Sequence, residues 1–245
     1  PESLLYPISS EIDIPGLIGW FDAESFDTST GIWYNKIDGE ANATTTGTIG
    51  VDTSNYENGS GAEFNYIYGN TLSTVTLNAT PFDGENNKAF TFFHIDRYTV
   101  GSHRRIWQAV GDNFISGFWN GLEGVYWQNG WINASNRDIG NNWLLTVNQN
   151  LSLGGIIKNY FNKSGTYYSS TYTTSRGTLN NITNLSINAG SYNERSDWAA
   201  AVVLMYDRIL NDDEITQVEN YLKTVYFEAL EPVSYTHLRA HETTN

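Results

Sequence analysis

The 245-residue sequence has no cysteine, which excludes a disulfide framework, a zinc ribbon, a thiol nucleophile and an iron–sulfur site. It also lacks any run of about 18 apolar residues, so no segment reads as a membrane-inserting helix. Positive charge is scarce. Thirteen Lys+Arg, only five of them lysine, face 27 Asp+Glu, for a formal charge of −14. A nucleic-acid binder needs a basic face to displace counterions, so that class is excluded as well.

What the chain has instead is asparagine, serine and threonine in abundance, 22 glycines and 14% aromatic residues. Short polar residues favour turns, while aromatic and β-branched residues favour strands. The mixture points to many short strands joined by elaborate loops, as in extracellular and virion-surface proteins. Eight Asn-x-Ser/Thr sequons occur, among them Asn42-Ala-Thr44, Asn78-Ala-Thr80 and Asn181-Ile-Thr183. Chance gives about five at this composition, so they are largely a by-product of it.

Alternating or continuous apolar runs predict strands at Leu17–Ala23, Gly31–Lys36, Gly61–Tyr66, Thr71–Asn78, Ala89–Ile95, Arg104–Val110 and Phe114–Trp119. Gly124–Gln128, Trp143–Gln149, Ile156–Phe161, Leu185–Ala189 and Ala199–Tyr206 continue the series. One helix is announced late. Asn211 reads as its cap and Glu214 as the reciprocal partner three residues on, with Ile215, Val218 and Leu222 on one face. The expected fold is all-β, a two-sheet antiparallel β-sandwich with one short C-terminal helix, occupying residues 14–227 as one domain. Residues 1–13 read as a leader or linker and 228–245 as a disordered tail. Within that tail, Val233 to Thr243 resembles a translated sequencing-library adapter. With no initiating methionine, this marks the sequence as an assembled environmental read open at both ends, and His237, His241 and Glu242 receive no role.

Three stretches carry a resemblance. Ile14-Pro-Gly-Leu-Ile-Gly-Trp-Phe-Asp-Ala23 is followed by Trp33-Tyr-Asn-Lys36 and Gly39-Glu-Ala-Asn-Ala-Thr44. Tyr160-Phe-Asn-Lys-Ser-Gly165 stands where an aromatic-x-Asn-Gly hairpin would. Ser196-Asp-Trp198 runs through the strand Ala199–Tyr206 to Asp207-Arg-Ile-Leu-Asn-Asp-Asp-Glu-Ile215 and Asn220-Tyr-Leu222. Together they resemble the concanavalin A-like lectin/glucanase superfamily in its laminin-G-like branch, from about Ile14 to Tyr226. The resemblance implies a jelly-roll sandwich, glycan recognition and, as many such domains use it, a possible calcium ion.

The superfamily includes hydrolases, and a retaining glycosidase needs two carboxyl groups about 5–5.5 Å apart. Glu11-Ile-Asp-Ile14 imitates half of a laminarinase-like motif, but Pro15-Gly16 replaces its second glutamate. Asp22 and Glu24 share a strand face, yet Asp22 reads better as a turn-stabilising residue. Serine chemistry lacks a G-x-S-x-G, and His94, alternating with Phe93 and Ile95, reads as a satisfied histidine at a sheet face.

A sugar site needs an aromatic platform with short amide, carboxylate or guanidinium partners. Residues 104–131 are dense in these types. The candidates are Arg105, Asn113, Trp119, Asn120, Tyr126, Trp127, Asn129 and Trp131, joined by Arg195 and Asp197 from the loop around Tyr192-Asn-Glu-Arg195. At least half the tryptophans are expected in the core, with Trp119 and Trp131 the more exposed. The expected function is a non-catalytic carbohydrate-binding or adhesion domain of a larger secreted, cell-surface or virion protein, with glycan as partner and no required cofactor. A glycoside hydrolase of the same fold and a structural or protein-interaction module are the alternatives. Burial of Trp107, Trp119, Trp127 and Trp131 together would favour the last.

Overall fold

The computed structural model describes residues 12–82, 89–128, 130–134, 140–151, 154–163, 166–174 and 181–228. The first strands are β1 (Leu17–Asp22), β2 (Phe26–Asp27), β3 (Ile32–Trp33), β4 (Thr44–Thr46), β5 (Ile49–Asn55) and β6 (Glu63–Gly69). Next come β7 (Thr74–Thr76), β8 (Phe90–Tyr98), β9 (Trp107–Val110), β10 (Phe114–Trp119), β11 (Leu122–Gln128) and β12 (Trp131–Asn133). The last are β13 (Leu144–Leu151), β14 (Gly154–Lys163), β15 (Thr166–Thr174), β16 (Asn184–Ile187) and β17 (Trp198–Tyr206), before the helix α1 (Asp212–Tyr226).

They form two antiparallel sheets, with β2 and β3 pairing apart. One sheet has eight strands, in the order β15-β14-β13-β8-β17-β6-β5, with β1 also on β17. The other has seven, in the order β12-β11-β10-β9-β16-β7-β4. Between them lies a core that includes Phe21, Trp33, Phe90, Phe92, Trp107, Phe114, Tyr126, Leu185, Ile187 and Trp198. This is the expected β-sandwich.

The sequence of β17, Trp-Ala-Ala-Ala-Val-Val-Leu-Met-Tyr, has no polar face, and every residue of it is buried. Such a run suits a strand covered on both sides. Here the second cover is α1. Its Ile215, Val218, Leu222 and Tyr226 join Phe93, Ile95, Leu145, Val147, Leu204 and Tyr206 in a second cluster behind the eight-stranded sheet. Each such aliphatic or aromatic side chain taken out of water stabilises the fold by about 1.5–3 kcal/mol.

The helix starts as the sequence predicts. Asn211 Oδ1 accepts the Glu214 N–H at 3.0 Å, and Glu214 Oε2 accepts the Asn211 N–H at 2.9 Å. Arg208 then grips both Glu214 oxygens, at 2.9 and 2.7 Å, while its Nε donates to the Pro15 carbonyl at 2.7 Å. This ties the opening motif to the closing one, beside the β1–β17 pairing. Gly16 sits at the crossing with φ +90, and a Cβ there would stand 2.7 Å from Asp207 Oδ1. Ile12 and Ile14 pack into the helix-side cluster, so this layer begins inside the segment expected to be a leader.

The strands β2, β4, β5, β12 and β15 lie outside the expected series. β4 and β5 are Thr/Ser-rich edge strands of their sheets, largely exposed, and carry little hydrophobic alternation to read. Of the Tyr160–Gly165 stretch, Tyr160 to Lys163 lie on β14 with Lys163 paired to Thr166 of β15, and Ser164 and Gly165 lie outside the described residues. No helix among the described residues is long and apolar enough to cross a membrane.

Asn211→Ala should cost about 1 kcal/mol of stability in urea titrations, the usual loss on removing an N-cap. Hydrogen bonds from Arg208, then from the Asn211 backbone, hold the Glu214 carboxyl at about 2, below its ordinary 4.5. Because the folded value is depressed, this contribution is complete above about pH 4.5 and fades as pH falls through about 2. Glu214→Gln should therefore flatten the drop in melting temperature across that interval.

Candidate functional site

Alternation along the seven-stranded sheet decides which side chains leave the core. Trp107 and Ala109 point inward, so Gln108 points outward; Phe114 and Ser116 point inward, so Ile115 points outward. Tyr126 is inward as well, since its hydroxyl donates to the Gln149 carbonyl on the opposite sheet, which turns Trp127 outward. Pairing aligns these positions. Ser186, Gln108, Ile115, Trp127 and Trp131 are successive cross-strand partners, one row across the outer face. From Gln108 to Trp131 the row crosses three strand intervals, about 14 Å.

At the β12 end the row becomes aromatic. Trp131 meets Trp127 edge-on with ring centroids 4.9 Å apart, and Trp119 leans on Trp131 at 5.1 Å. All three are half-buried, while Trp107 is fully buried in the core. The indole N–H groups of Trp119 and Trp127 are buried without a hydrogen-bond partner among the described residues, as is Gln108 Oε1 on a residue only 1% exposed. Leaving such groups unmatched costs about 1–3 kcal/mol each.

The other end of the row lies under the loop between β16 and β17. Asn188, in the left-handed region at φ +58, holds that loop. Its Nδ2 donates to the carbonyls of Asn70, Ser73 and Ser196 at 3.1, 3.1 and 2.8 Å, and its Oδ1 accepts the Ser196 N–H at 2.9 Å. The loop delivers Glu194 and Tyr192 onto Arg105. Arg105 Nε donates to Glu194 Oε2, its Nη1 donates to Asn113 Oδ1 at 2.6 Å, and the Tyr192 ring covers its guanidinium at 4.6 Å. Arg105 and Arg195 face each other across an isolated parallel bridge.

The structure thus brings together Arg105, Asn113 and Arg195 at one end, and Trp119, Trp127 and Trp131 at the other. Asn120 stands on the β10–β11 turn, where its Oδ1 accepts from Arg104 Nη1 at 2.8 Å. Two candidates turn elsewhere. Tyr126 is 0% exposed, bonded to Gln128 in the core, so strand alternation removes it from the surface. Asp197 clamps the neighbouring loop, its Oδ2 accepting the Ser102 N–H at 2.5 Å. Asn129 lies outside the described residues. Gln108 was not anticipated, although a lone polar residue between Trp107 and Ala109 is the signature of a strand's outer face.

Hydrolytic arrangements fare differently. His94 Nδ1 stands 3.0 Å from Asp96 Oδ1 and its Nε2 2.6 Å from Ser116 Oγ, the connectivity of a serine triad. Yet all three are 0% exposed between the sheets, and Ser116 is further tied to Asn148, so no substrate reaches them. Burial pushes the Asp96 carboxyl up, and His94 opposes that. Asp22 does stabilise its turn, accepting the Ser25 N–H at 3.2 Å and pairing with Lys36 at 2.6 Å. Burial and then the Asp22 charge raise Glu24. Among the described residues, no group of three or more His, Cys, Asp or Glu gathers to hold a metal ion.

No protein-family profile matches the chain, and no curated protein matches it. Solved structures share the fold. Domain 4 of AbnA, a GH43 extracellular arabinanase from Geobacillus stearothermophilus solved with arabinotriose, matches with a TM-score of 0.57 at 11% identity, over 82% of this chain and 97% of that one. A GH54 a-l-arabinofuranosidase matches at 0.52 and 13% identity, over 81% of this chain and 51% of that one. The Trypanosoma rangeli sialidase matches at 0.50 and 12% identity, over 87% of this chain and 33% of that one. The chain therefore spans about half of the one and a third of the other. At these identities the shared property is the sandwich.

The three outer tryptophans should be reachable by a small quencher, unlike Trp33, Trp107, Trp143 and Trp198, which are 0% exposed. Acrylamide titration should show the quenchable fraction falling in Trp119→Phe, Trp127→Phe and Trp131→Phe proteins and unchanged in Trp107→Phe.

Proposed function

We propose that this sandwich is a non-catalytic carbohydrate-binding or adhesion domain, which takes glycan on the outer face of its seven-stranded sheet. The observation that carries the reading is the half-buried trio on that face, in which strand pairing aligns Trp127 and Trp131 and Trp119 leans on Trp131. Sugars present apolar C–H faces ringed by hydroxyls. An aromatic surface bordered by the exposed Asn120 amide and Arg104 guanidinium is complementary to both. Had all four tryptophans lain in the core, a structural module would have been the better reading; only Trp107 does.

The neighbours support a sugar-related role by analogy of fold. The arabinanase domain was solved with arabinotriose, and the others are named as a sialidase and an arabinofuranosidase. The opening and closing motifs keep the laminin-G-like branch as our reading of the lineage. A secreted, cell-surface or virion protein of several domains is the setting it implies. Recognition by stacking and hydrogen bonds requires no cofactor, and calcium enters as one arm of the test.

On a glycan array the full chain should bind a restricted set of oligosaccharides, in calcium or in EDTA. Trp127→Ala and Trp131→Ala should each weaken that binding at least tenfold, about 1.4 kcal/mol, with the melting temperature little changed. Absence of binding under both conditions would sink the proposal.

A further inference from the structure

The rim at the Arg105 end of the row carries positive charge that the protein leaves without a carboxylate. Arg105 is neutralised by Glu194, but Arg195, its bridge partner, is half-buried and its guanidinium has no hydrogen-bond or ion-pair partner among the described residues. Arg104 is exposed, and its guanidinium bonds only to the neutral amide oxygen of Asn120. In a chain with 27 acidic and 13 basic residues, two neighbouring arginines without a carboxylate run against the composition. The acids of the β16–β17 loop are engaged: Glu194 on Arg105, and Asp197 on the Ser102 N–H.

The rim is continuous with the aromatic platform. Asn120, which receives Arg104, follows Trp119 directly, and its own N–H donates to the Arg104 carbonyl at 3.3 Å. The accessible groups along this path are rich in donors: the guanidinium groups of Arg104 and Arg195, with the Asn120 amide oxygen already engaged by Arg104. A neutral sugar hydroxyl donates as readily as it accepts, whereas a carboxylate only accepts and fits a guanidinium fork.

Building on the glycan-binding reading above, we infer that the preferred ligand is a carboxylate-bearing glycan. Its acidic sugar is held by Arg195 and Arg104 while a ring further along the same glycan lies on Trp119 and Trp127. The net charge of −14 does not forbid this, because at physiological salt the field of distant carboxylates is screened beyond about 8 Å. Contact with the two guanidinium groups then decides.

Polygalacturonate, its fully methyl-esterified form and neutral galactan separate charge from sugar skeleton; sialylated and desialylated oligosaccharides do so for a second acidic sugar. The full chain should bind at least one acid form at least tenfold more tightly than its uncharged counterpart, with affinity falling as salt rises. Arg195→Gln and Arg104→Gln should each erase most of that preference, with circular dichroism and melting temperature unchanged; if either variant unfolds, the salt dependence of the wild type is the deciding measurement. Equal binding of charged and uncharged forms, insensitive to salt and to both arginine variants yet abolished by Trp127→Ala, would overturn the carboxylate inference and leave the glycan-binding proposal standing. No binding to any glycan would overturn both.

Discussion

Everything in the molecule hangs on β17. It pairs with β8 along one edge and shares its other edge between β6, at Trp198–Ala200, and β1, at Val202–Tyr206. A strand flanked in this way and buried on both faces admits no slip, since a shift of one residue would exchange its sandwich-facing and helix-facing sides. Its first residue also fixes the loop before it. Trp198 is wholly buried, and its indole donates to the Ser73 carbonyl at 3.3 Å, the same carbonyl that receives Asn188. The position of Glu194 over Arg105 follows from how β17 enters the core.

The polar chain inside the sandwich ties the sheet of β17 to the opposite one. His94 and Asp96 belong to β8, Asn148 to β13, and Ser116 to β10 across the core. Apolar contacts alone tolerate small sliding of one sheet over the other, whereas a hydrogen-bonded histidine in a dry interior does not. Its arrangement resembles catalytic machinery only in connectivity. Its location makes it a fastener between layers, and Gly117 beside it, whose Cβ would stand 2.8 Å from the His94 ring, shows how closely the surroundings fit.

Strong elements were legible because their chemistry is local. The capping residues of α1, the Phe-rich β8 and the uniformly apolar β17 each announce themselves within a dozen residues. The polar edge strands β4 and β5 were not legible, because an edge needs only its backbone paired on one side. At the candidate site, residue types identified the neighbourhood but not the direction of each side chain. Tyr126 and Trp127 are adjacent and chemically alike, yet one fills the core and the other faces out. That choice depends on the register of β11 against β10, with an irregularity between Gly117 and Phe118, and no short stretch of sequence reports it. Arg105 meets Glu194 from 89 positions away, a pairing that only the folded topology creates.

The helix α1 has a consequence for how the domain is presented. It occupies the back of the eight-stranded sheet, and both Ile12 and Phe227, near the two limits of the described chain, pack into that same helix-side layer. The outer face of the seven-stranded sheet is the opposite surface of the molecule. The fold is therefore polar in the manner of a stamp, with its handle and its printing face on different sides. Ile12 and Phe227 are both held on the handle side, and the tryptophan face looks the other way.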